Sequence, residues 1–322
     1  MRWFLGFLFL AILFSACNKK QATLTESELQ LLSLFELSVT DNLEDSDIDS
    51  ARSLAQKTLG LRYKITDSSA IYNAFIQIGK TYVYQQAYDS GLAYYQKAYE
   101  LTKIGGNKRR QALALHWIAD ANVYMGNNSK GATCLIQAIK INQDLGQLLP
   151  LATNYSLYAH TFDANYQYDS SLAYFYRAEQ IFDSLNDQAR KATVLSNIGD
   201  VYRSIDDYEN ALPIMKEALY IHDSLDNIRE VARIENTIGT IFMNLNIYDS
   251  AIYYYQQSIP NAKSVGYDFM ALIARFNLGK VYSLAKDYEQ ANPILEEVYQ
   301  FCIDNNISEG QMRCLLHPCQ LL

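Results

Sequence analysis

Ile198-Gly-Asp-Val-Tyr-Arg-Ser-Ile-Asp-Asp-Tyr-Glu-Asn-Ala-Leu-Pro-Ile-Met-Lys-Glu-Ala218 decides the fold, because close variants of it recur at a constant forty-residue spacing on both sides. The small residue that opens the pattern is Gly79, Ala119, Ala159, Gly199, Gly239 and Gly279, and three residues later stand Tyr82, Asn122, Phe162, Tyr202, Phe242 and Tyr282. A turn tyrosine follows at Tyr88, Tyr168, Tyr208, Tyr248 and Tyr288, with Asn128 as the exception. The next stretch carries Gly91, Gly131, Ser171, Ala211, Ala251 and Ala291, and then Ala98, Ala138, Ala178, Ala218, Ser258 and Val298. Small residues at these places let two helices of a hairpin approach closely, so Gly199 and Ala218 are expected to meet there, with Tyr202 and Tyr208 filling the space beside them. One such hairpin cannot bury its apolar face alone; stacked neighbours can.

These columns resemble the tetratricopeptide repeat family, whose pattern of aliphatic-Gly-x-x-Tyr, then Ala-x-x-x-Phe and a later Ala they reproduce over residues 64–306. The resemblance implies an all-α fold, a right-handed α-solenoid of antiparallel helix hairpins. Two departures carry expectations. The family's opening Trp column is Phe75, Leu115, Tyr155, Leu195, Glu235 and Arg275, so packing there should loosen toward the C-terminus. The Pro that closes the family's second helix is missing, so that helix should run on and lengthen the period beyond the family's ~34 residues. Pro260 falls inside the second helix of the fifth copy, where a bend or early stop is expected.

Before the repeats, Met1 and Arg2 precede an apolar run from Trp3 to Phe14 and then Ser15, Ala16 and Cys17. That run is shorter than the ~20 residues that cross a bilayer, and its order reads as an export signal over residues 1–16. The Phe-Ser-Ala-Cys ending resembles the lipobox of bacterial lipoproteins, which implies acylation of Cys17, a tether over 17–23, and a protein held on a Gram-negative bacterial membrane facing the periplasm. Thr25 and Glu28 fit a capping box that opens a helix. Residues 24–63 form a degenerate first repeat that acts as a cap, and 307–322 an incomplete seventh repeat or tail. There Pro318 breaks the helical pattern and no polar outer face covers the last edge, which points to a shortened form of a longer protein or to a capping partner.

With 35 acidic against 27 basic residues, the chain has no general attraction for nucleic acid. The four histidines fall at different phases, no phosphate-binding glycine loop or catalytic motif is present, and Cys314, His317 and Cys319 lack the paired spacing of a zinc site. No enzyme, cofactor or metal is expected. The 26 tyrosines lie mostly in or beside packing columns, so core filling accounts for them better than carbohydrate stacking.

The family lines a concave groove with the exposed face of its first helices. Carried over, the groove positions are Lys80, Tyr84, His116, Asp120, Tyr124, His160, Asp163, Asn197, Asp200, Arg203, Asn236, Asn277 and Lys280. They do not reproduce the Lys and Asn set with which some members clamp a terminal carboxylate. The sequence therefore predicts a non-catalytic, membrane-anchored scaffold binding a protein or peptide; the alternatives are the sensory part of a membrane-spanning regulator and an outer-membrane glycan-binding lipoprotein.

Overall fold

The structure, a computed structural model, describes residues 24–38, 48–64 and 68–305. Cys17 and the whole signal and tether, like the tail beyond residue 305, lie outside the described residues. Within them the chain is all helix and turn, with fourteen helices. These are α1 Glu26–Ser38, α2 Ile48–Gly60, α3 Ser68–Tyr84, α4 Tyr88–Gly105, α5 Lys108–Tyr124, α6 Asn128–Asp144 and α7 Leu148–Asp163. The chain continues with α8 Tyr168–Ser184, α9 Gln188–Ser204, α10 Tyr208–Ser224, α11 Ile228–Asn244, α12 Tyr248–Ser264, α13 Asp268–Leu284 and α14 Tyr288–Asp304. The chain divides into two compact units between Ala121 and Asn122, and the described residues of each form antiparallel helix hairpins.

The first helix opens as the capping box requires: the Thr25 amide donates to Glu28 Oε2 at 2.8 Å, and the Glu28 amide donates to Thr25 Oγ1 at 3.3 Å. Further on, one turn geometry is used throughout. After α9 the Asp206 amide reaches Arg203 O and the Asp207 amide reaches Tyr202 O at 2.9 Å, with Asp206 left-handed at φ 59°. This pair of bonds ties off the carbonyls that a helix end leaves open. After α10 the arrangement repeats, with Asn227 N on His222 O at 3.0 Å and Asp226 at φ 54°. The left-handed residue recurs every twenty positions, as Gly126, Gly146, Tyr166, Asn186 and onward to Lys286. Asp187, Asp207 and Asp287 then accept from the amide three residues on and open the next helix.

Inside a hairpin, glycine is required by contact. A Cβ on Gly79 would lie 2.3 Å from the Tyr95 ring, one on Gly199 2.7 Å from Met215, and one on Gly279 2.7 Å from Leu295. The small-residue columns thus act as sockets for the bulky residue of the second helix. Gly199 takes Met215, not Ala218, which is buried one turn further along. The second helices bury one more column than the pattern suggests, filled by Thr102, Asn142, Phe182, His222, Ala262 and Cys302.

Three expectations are corrected. The second helix does not outrun the first, since α9 and α10 have 17 residues each. Pro260 does not stop α12, which continues to Ser264. Pro260 and Gln256, whose carbonyl loses its amide, are both exposed, so the missing bond lies on the solvent side while Ala251, Tyr255, Ser258 and Ala262 keep the packing face. Packing in the opening column does not loosen steadily: Glu235 is 8% exposed and as enclosed as Tyr155, also 8%, and the column loosens only at Arg275, whose side chain is 34% exposed in an ion pair with Glu297.

Candidate functional site

The first helices place the groove positions at matching phases, and the structure brings many of them together. In the unit beginning at Asn122, His160 on α7 lies 3.3 Å from the Asn197 carboxamide of α9 and packs its edge on Phe175. Burial pushes the imidazole down to about 4 in spite of the nearby Asp200 carboxylate, so it is neutral at physiological pH. One turn below, Arg233 Nη1 of α11 donates to Asp200 Oδ2 at 3.0 Å, and its Nε donates to Glu230 Oε2 at 2.8 Å. Burial works against that guanidinium's charge, yet Asp200 and Glu230 together hold it above its usual range. Arg203 meets Asp200 from the same helix at 3.4 Å. Asp163, the last residue of α7, is raised by burial and then by Asp200, with Arg203 opposing. Further along, Asn277 Nδ2 of α13 donates to Asn236 Oδ1 at 3.0 Å, and Lys280 is exposed.

In the unit ending at Ala121, Lys80 on α3 and Asp120 on α5 act on each other electrostatically. The Lys80 ammonium stands 4.4 Å from the centre of the Trp117 ring, whose other contacts are Tyr95 at 6.1 Å and the edge of His116 at 5.1 Å. Burial lowers Lys80 and lifts Asp120 to about 6. Tyr84 stands exposed at the end of α3; Tyr124, which belongs to the unit beginning at Asn122, is exposed at the end of α5.

Reading the sequence alone passed over Trp117 and Glu230, which neighbour groove positions. Trp117 shares its repeat phase with Asn197 and Asn277, and Glu230 precedes Arg233 by three on one helix, the spacing of an intrahelical pair. Those phase relations were the available signal. Glu235 stands where the family places an aromatic ring, and its carboxylate accepts from Asn261 Nδ2 at 2.9 Å. Burial, followed by Asp223, raises it to about 7 although Asn261 pulls the other way. Among the described residues no group of acidic, histidine and cysteine side chains is arranged to hold a metal ion.

The architecture is that of a helix-hairpin repeat protein with a polar first-helix face. Residues 150–224 match the tetratricopeptide repeat family model, and the other described hairpins share the same all-α hairpin architecture. Several solved structures share the fold. A Rap protein complexed with Competence and Sporulation Factor is 16% identical with a TM-score of 0.67, covering 92% of this chain and 88% of its own. The apo form of RapI is 12% identical at a TM-score of 0.64, covering 84% and 96%. BtubC (BKLC) from P. vanneervenii is 19% identical at 0.61, covering 69% and 94%. No curated protein matches the chain in sequence.

Proposed function

We propose that this chain is a scaffold that binds a protein or peptide along the exposed face of its first helices, and that a lipid on Cys17 anchors it on the outer side of a bacterial inner membrane or the inner side of an outer one. The observation that carries the binding role is the polar row joining neighbouring first helices: His160 to Asn197, Arg233 to Asp200, and Asn277 to Asn236. Side chains already held by one another lose little rotamer freedom on meeting a ligand, which lowers the cost of binding. A Rap protein with the same hairpin architecture has been solved complexed with Competence and Sporulation Factor, which supports the reading. The anchor rests on the ordered run from Met1 to Cys17. Among the described residues no helix is long and apolar enough to cross a membrane.

The test is crosslinking and co-purification from membranes, with Asn197→Ala and Arg203→Ala beside the wild type. A partner captured by the wild type and weakened by both substitutions, at unchanged helicity, is the expected result. A partner that responds instead to exposed second-helix positions such as Tyr220 would move the site off this face.

A further inference from the structure

The cluster on α3 and α5 holds one buried polar group that nothing in the fold satisfies. The Trp117 indole N–H is buried without an acceptor. Lys80 has the face of that indole as its near neighbour and Asp120 as its opposing charge, yet among the described residues no hydrogen bond or ion pair within 4.0 Å joins the two. A pair that served only to hold two helices together would close into contact, because separated charges out of water are costly. Here the ammonium is turned onto the ring and the carboxylate is left one helical turn beyond it.

We propose that Lys80, Trp117 and Asp120 form a subsite for one neutral amide group of a bound peptide, its carbonyl accepting from the Lys80 ammonium that the Trp117 ring face holds in place and its N–H donating to Asp120. This rests on the peptide-binding reading above. The cluster carries one positive and one negative charge and so matches a neutral group that has a donor and an acceptor. A carboxylate would face Asp120, and a cationic side chain would face Lys80. Amides of that kind come from the peptide main chain or from an asparagine or glutamine side chain. The site differs from the row on α7 to α13 in using an aromatic ring to hold its cation in place.

The chain contains two tryptophans, Trp3 and Trp117, so a full-length Trp3→Phe chain reports on this site through a single indole. Peptides are selected against it from a random-sequence phage library and titrated by indole fluorescence. Each selected peptide is then remade with single N-methyl main-chain substitutions and with every asparagine or glutamine replaced by alanine. The expected result is a Trp117 signal on binding and one modification that weakens binding by roughly tenfold, about the worth of a charge-assisted hydrogen bond. That penalty should disappear in Lys80→Met and Asp120→Leu chains of unchanged helicity. An N-methyl position identifies the main chain as the source, and an alanine position identifies a carboxamide side chain. Peptides that bind without altering Trp117 emission, or penalties equal in all chains, overturn the subsite while leaving peptide binding intact. A library that yields no binder overturns both.

Discussion

Replacing Glu235 with Gln removes a carboxyl group that the folded chain keeps in a poor place. In the native structure burial lifts it from the ordinary 4.5 to about 7, with Asp223 adding to the rise and the Asn261 amide opposing it. At about 1.4 kcal/mol per pH unit, that displacement corresponds to roughly 3 kcal/mol of stability that depends on the proton. The folded chain holds the proton across pH 4.5 to 7 while the unfolded chain releases it. The contribution is therefore complete below about pH 4.5, falls as pH rises toward 7, and is gone above that. A carboxamide at this position stays neutral, fits the same volume, and still presents an oxygen to Asn261. Urea unfolding followed by circular dichroism should give nearly equal stabilities for the two chains at pH 5 and a Glu235→Gln chain more stable by about 2–3 kcal/mol at pH 8. Parallel stabilities from pH 5 to 8 would show that Glu235 ionises freely, and the enclosed position assigned to it would be wrong.

The socket role of Gly199 predicts that Gly199→Leu costs about 1–3 kcal/mol, whereas Tyr220→Leu at an exposed second-helix position stays within about 0.5 kcal/mol; thermal melts compare them, and Met215→Ala should recover part of the Gly199→Leu loss. Tyr166 holds a bulky side chain at φ 58° where other turns use glycine, so Tyr166→Gly should raise stability by about 0.5–1 kcal/mol, read from the same melts. Burial keeps His160 neutral down to about 4, so its contribution is present above the ordinary 6.5 and is lost as pH falls toward 4; His160→Gln should flatten that acid limb of the stability profile. Cys17→Ala should abolish fatty-acid labelling and release the protein from membranes, and label that persists would remove the anchor from the proposal.

Much of the architecture is readable in the sequence because the repeat supplies its own control. A glycine alone says little, whereas Gly79, Gly199, Gly239 and Gly279 at one phase mark a contact, and their ring, thioether and isobutyl neighbours bear this out. The partner of each socket was harder to see, since Met215 and Ala218 lie on the same face one turn apart and both are buried. Pro260 misleads because a proline's cost depends on its surroundings, and here both Pro260 and Gln256 are exposed. In the groove, phase locates candidates such as Asp200 and Asn197 but cannot say which pair. Arg233 joins Asp200 across two helices, and Trp117 becomes part of a site only through the lysine that turns onto it.

The shared turn geometry has a consequence for how such a chain can change length. Since the left-handed residue recurs at both kinds of junction, Asp206 within a hairpin and Asp226 between hairpins, each helix leaves its turn on the same terms as the last. Duplicating or excising forty residues at any pair of equivalent turns therefore restores every socket and every groove position to its place. Removing twenty joins two turns that are locally just as compatible, but sends second helices to the positions of first helices, so Lys216 and Glu217 would stand where Asn236 and Thr237 now do. The backbone does not distinguish these events; the side chains do. Variation in repeat number is thus cheap for this fold in steps of two helices and ruinous in steps of one, which makes whole hairpins the natural unit for lengthening, shortening or exchanging its first-helix face.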